Sequence, residues 1–130
     1  MILIIICVTI FLFSSQPGYE SEKISNTLII RKLGHFSEYA ALGFFSFAYF
    51  SNIFTKKINK ENIKLTLFIS LLFSIFYALS DELHQTFIVG RDGNFKDVII
   101  DSFGAIFGII VSKIIFSLLF CKKSKKNLTF

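Results

Sequence analysis

The chain has 130 residues, 53% of them apolar and 18 of them Phe, and it carries a formal charge of +5. A soluble domain of this size has too much surface for its volume to hide that much apolar side chain, whereas a chain dissolved in lipid need not hide it. The charge does not point to nucleic acid, because the lysines cluster beside apolar runs where membrane topology accounts for them.

The first apolar run, Ile2 to Phe13, is extended by Ser14 to Gln16 and stopped by Pro17-Gly18. No basic segment precedes it and no small-residue cleavage site follows it, so a short span is expected rather than a signal peptide. A start further upstream is left open. The segment after it, 14 to 32, is polar and turn-rich. A second span is expected over about 33–54, a third over 65–89 with a polar last third, and a fourth over 98–120. With the first at about 2–16, the fold class is all-α: a polytopic membrane protein with about four transmembrane helices, in one domain over 1–130. Cys7 lies in the first run and Cys121 at the end of the last, so neither a disulfide nor a thiolate metal site is expected.

Lysines set the orientation. Lys56, Lys57, Lys60 and Lys64 fall between spans two and three, and Lys122, Lys123, Lys125 and Lys126 follow span four. Four spans put these groups on one side, the cytoplasmic side by the positive-inside rule, with both termini there. The other side holds Lys23, Arg31, Lys32, Arg91 and Lys96, offset by acids.

At that outer side three spans bring polar stripes to one depth. At about 100° per residue, His35, Glu38, Tyr39 and Leu42 share a face of span two. Ser70, Ser74, Tyr77, Asp81, His84 and Gln85 form a stripe on span three, with Glu82 turned off it by about 100°. Asp97, Asp101, Gly104 and Gly108 share a face of span four. An aspartate at mid-membrane costs about 2.5–3.5 kcal/mol, less near the interface. These groups should therefore face one another around a hydrated cavity between spans two, three and four. Gly104 and Gly108 should let another helix approach closely.

The stretches "FSSQPG", "RKLGHFSEYAALG", "SDELHQTFIVGR" and "KDVIIDSFGAIFG" occur in this order over nearly the whole chain. They resemble the VanZ-like family of small bacterial membrane proteins. The resemblance implies a helical protein of the cell membrane whose biochemical activity is not established, with a name-giving member associated with resistance to teicoplanin. It also implies a polar signature at His35, Glu38, Tyr39, Asp81, Glu82, His84, Gln85, Gly90, Arg91, Asp97, Asp101 and Gly104. Val89-Gly90-Arg91 stands where the family has Pro-Gly-Arg, which predicts a looser turn after span three.

Three readings of the cavity stay open. It could bind an envelope component, a lipid-linked or cell-wall ligand, with Arg91 holding a phosphate or carboxylate. It could be an intramembrane enzyme whose clustered carboxylates and imidazoles divide acid and base roles. It could be a structural network that only locks the helices. No nucleophile elbow is present and no cofactor is implied. A metal on His35, Glu38, Asp81 and His84, zinc first, is the minor variant of the enzyme reading. The bilayer is the expected partner, nucleic acid is not, and the sequence leaves oligomeric state open.

Overall fold

A computed structural model of the chain describes residues 1–19, 28–54 and 60–126. Four helices follow one another: α1 (Ile2–Ser14), α2 (Leu28–Phe54), α3 (Lys60–Gln85) and α4 (Phe95–Lys126). No strand occurs among the described residues, and the fold is all-α. Of the charges used for orientation, Lys23, Lys56 and Lys57 lie outside the described residues.

The helices begin and end where local chemistry dictates. α1 stops at Ser14 because the chain turns at Ser15 and Gln16 ahead of Pro17. α2 is described from Leu28, ahead of the expected residue 33, and takes in Arg31 and Lys32, which are good helix formers. α3 ends at Gln85, short of the expected residue 89. There the backbone N–H groups of Phe87 and Ile88 turn onto the carbonyls of His84 and Gln85 in tightened, three-residue steps. α4 opens with Asn94 as its cap: Asn94 Oδ1 accepts the Lys96 N–H at 3.1 Å.

Residues 62–85 of α3 and 95–119 of α4 are long and apolar enough to cross a membrane; α1 is apolar but shorter. Large side chains such as Phe68, Phe76, Phe103 and Leu118 are each more than 60% exposed on these helices. Soluble monomers rarely present continuous apolar surface of that kind.

The buried faces are built from small residues. α2 and α4 make the most extensive contact, with α3 against both and α1 packed mainly on α2. A Cβ added at Gly104 would collide with the carbonyl oxygen of Phe36, and one at Gly108 with that of Ala40. Gly43 meets Ala105 in the same way from the other side. Without hydrogen in place of side chains at these points, the two backbones could not approach so closely. On α3, Thr66, Ser70 and Ser74 are buried, and each hydroxyl donates to the carbonyl four residues back, at 2.7, 2.7 and 2.9 Å. Their hydroxyl hydrogen bonds are thus closed within the helix.

Candidate functional site

The ionisable residues gather where α1 ends, α2 begins, α3 ends and α4 begins. The helix spacing that brings Gly104 onto Phe36 also brings the preceding turn of α4 onto His35. His35 Nδ1 lies 3.4 Å from Asp101 Oδ1, an ion-pair distance too long for a well-aimed hydrogen bond. The Asp101 side chain is fully buried, and among the described residues neither of its oxygens has a hydrogen-bond partner. Glu82 closes the group: one ligand atom from each of His35, Glu82 and Asp101 lies within 4.8 Å of the other two.

Glu82 corrects the helical phase read from sequence. It is 5% exposed, not turned away. Its Oε2 accepts the Asn94 N–H at 2.8 Å and its Oε1 accepts from the Gln85 amide at 3.3 Å. The buried face of α3 runs through Ser74, Ala78, Asp81, Glu82 and Gln85. This is a stripe of ordinary width for a packed helix, and its centre lies between Asp81 and Glu82. Tyr77 and His84 fall on the flank facing α1. Tyr77 donates its hydroxyl to the Cys7 carbonyl at 2.6 Å, and the His84 ring sits 4.6 Å from that of Phe11.

Gln85 couples the acids to the following loop. Its amide nitrogen also donates to Asp81 Oδ2 at 3.0 Å, and its oxygen accepts from Arg91 Nη1 at 3.2 Å. Arg91 Nη2 reaches the Phe13 carbonyl of α1 at 3.4 Å. Partial burial lowers the Arg91 guanidinium from its ordinary pKa; the nearby Arg31 adds to this, while Asp81, Glu38 and Glu82 oppose it. The turn carrying Arg91 is not loose. The Arg91 N–H donates to the Ile88 carbonyl at 3.1 Å, with Gly90 at φ +75° in the position that favours glycine. The Gly18 N–H donates to the Val89 carbonyl at 3.1 Å, tying the chain after α1 to this turn. A Cβ on Gly18 would strike the Gly90 carbonyl.

Between these elements lies a cavity of about 220 Å³ lined by α1, the start of α2, Asp81 and Arg91. His35 and Glu38 face it from α2, together with Arg31 and Gly34, while Phe13 and Ser14 face it from α1. The first helix, which the polar stripes of the sequence do not include, forms one wall of the cavity. Its polar end at Ser14 to Gln16 was the signal that could have included it. The remaining signature residues sit around this cavity rather than in its lining. Tyr39 is fully buried, its hydroxyl without a partner among the described residues. Asp97 is partly buried in the first turn of α4, where a negative charge suits the helix N-terminus. The metal candidates read from sequence were His35, Glu38, Asp81 and His84; the structure instead groups His35 with Glu82 and Asp101.

These features define a class: an all-helical protein with two membrane-length apolar helices and a buried carboxylate–imidazole group at one end of the helix packing. The chain belongs to the VanZ-like family, whose family model, described as VanZ/LLP1, matches residues 1–117. Searches of curated proteins and of solved structures returned no match.

Proposed function

We propose that the chain is a single-domain, multi-pass protein of the bacterial cell membrane that binds an anionic envelope component in its cavity. In this reading all four helices cross or enter the bilayer, both termini are cytoplasmic, and the cavity opens outward. The lysine groups before and within the first turns of α3 and in the last turns of α4 support that orientation.

One observation carries the ligand: two guanidinium groups, Arg31 and Arg91, line the same small cavity. Burial first and the nearby Arg31 second lower the Arg91 pKa, while Asp81, Glu38 and Glu82 oppose this, and Asp81 and Glu38 line the cavity too. A phosphate or carboxylate between the two guanidinium groups would relieve their repulsion and accept charge-assisted hydrogen bonds. The volume sets the ligand's size. Drug-sized ligands occupy pockets of about 300–1,000 Å³, so a headgroup suits this cavity and a whole glycopeptide antibiotic does not. A role in teicoplanin resistance would therefore run through an envelope lipid or precursor.

The test is binding to the full chain in phosphatidylcholine nanodiscs with and without phosphatidic acid, read by native mass spectrometry. Retention of phosphatidic acid that falls at least tenfold in Arg31→Gln is the expected result. Arg31→Gln is the cleaner variant, because Arg91 also ties Gln85 to Phe13. Equal retention by both proteins would overturn the reading.

A further inference from the structure

We propose that His35, Glu82 and Asp101 form a divalent-cation site, with zinc the best-matched ion. The reading does not depend on anion binding in the cavity. It rests on two independent observations: the convergence of three ligand atoms from three helices, and the state of Asp101.

Asp101 is wholly buried and neither of its oxygens is hydrogen-bonded among the described residues. The neighbouring His35 Nδ1 is buried and likewise without a hydrogen bond. A buried carboxylate costs several kcal/mol unless its lone pairs are used. Serine hydroxyls on the adjoining helix face close their bonds within α3, so this face supplies simple means of satisfaction elsewhere. Three buried atoms without a hydrogen bond around one point are what a cation would complete, with His35 neutral and its Nδ1 unprotonated.

The chemistry fits. Two carboxylates and a neutral imidazole sum to a charge of about −2, which one divalent ion cancels in a medium where net charge is expensive. One nitrogen and two oxygens are a borderline donor set of the kind that zinc accepts. Zinc bonds to such atoms are about 2.0–2.2 Å, so tetrahedral ligand atoms stand roughly 3.3–3.5 Å apart. His35 and Asp101 already stand at 3.4 Å. Glu82 offers an oxygen within 4.8 Å of both, and its two oxygens are held unequally. Oε2 is fixed by the Asn94 N–H at 2.8 Å, while Oε1 is held only by a 3.3 Å contact with Gln85. Oε1 is the oxygen placed to turn toward the ion, with Asn94 and Gln85 as supports of its carboxylate. Three protein ligands leave one coordination position for water or a ligand group. His35 also lines the cavity, so the site and the cavity share a wall.

The experiment uses the full chain in detergent, with Cys7→Ser and Cys121→Ser to remove thiol ligands. Zinc alone is titrated calorimetrically, and cobalt alone is added to follow the visible absorption of a four-coordinate ion. The expected result is one ion per chain, weakened at least tenfold in Asp101→Asn and in Glu82→Gln. Asp97→Asn and His84→Gln, whose side chains lie outside the triad, should bind as the parent does. Each variant is checked for monodispersity, and if Asp101→Asn does not fold, Glu82→Gln decides alone. No stoichiometric binding by the parent overturns the proposal. So does unchanged binding in the folded triad variants, or an equal loss in the two controls.

Discussion

Gly104 lies against the carbonyl of Phe36, one residue beyond His35 and one turn beyond Asp101, so a close approach of α2 and α4 adjoins the His35–Asp101 contact. Helix packing and the polar group are therefore one feature. Gly104→Leu should force the helices apart, separate the pair, and cost about 1–3 kcal/mol as overpacking does. Gly34 provides the control, since an added Cβ there meets nothing within 4 Å. Gly34→Ala should hold or raise the melting temperature by removing a flexible residue from a helix. Thermal unfolding of the two variants side by side checks this; an equal fall in both would contradict it.

Gln85 is the link between the two acids of α3 and Arg91. Gln85→Leu keeps much of the bulk and removes every one of those bonds. It should destabilise by about 1–3 kcal/mol, because buried acceptors are left without a donor. The loop after α3 should also become accessible to protease, since the bond from Arg91 to the Gln85 oxygen is lost. A variant with parental melting temperature and protease resistance would show that Gln85 is not the link.

The orientation is testable by labelling. In a background lacking Cys7 and Cys121, single cysteines replace Asn59, outside the described residues, and Asp92, exposed in the loop before α4. Asp92 is preferred to Asn94, whose backbone and side chain hold Glu82 and cap α4. An impermeant maleimide on intact cells should label the second position alone. Labelling of the first alone would reverse the topology and turn the cavity to the cytoplasm.

Much of the fold could be read from apolar run lengths, because helices must continue where nothing breaks them. The ends could not, since they depend on capping by Asn94 and on tightened turns after Gln85. Small residues on α4 marked a close contact, but their partners Phe36 and Ala40 contribute only backbone, which carries no signal in the side-chain pattern. Glu82 was misplaced for a different reason. A polar stripe was centred on Asp81 by including Tyr77 and His84, whereas both of these face α1. Polar type alone cannot separate a residue facing the acid group from one bonded to a neighbouring helix's carbonyl or resting on its Phe.

That correction sharpens the test of whether the polar group does more than hold helices together. Asp81→Asn, Glu82→Gln, His84→Gln and Asp97→Asn each remove a titratable group while keeping volume and hydrogen-bonding capacity. A network kept only for stability tolerates such changes, or even apolar ones, without loss beyond its stability effect. Teicoplanin susceptibility in a sensitised bacterial host would be measured beside membrane abundance for each variant. Asp81 lines the cavity and Glu82 approaches His35 and Asp101, so both variants should lose any phenotype at normal abundance. His84 rests on Phe11, and neither it nor Asp97 lines the cavity or joins the triad, so their variants should change activity no more than abundance. Losses that follow abundance at all four positions would mean that the group is structural. Loss concentrated at His84 would move the working site toward α1, and an unmodified chain giving no protection would sever the link to glycopeptide resistance.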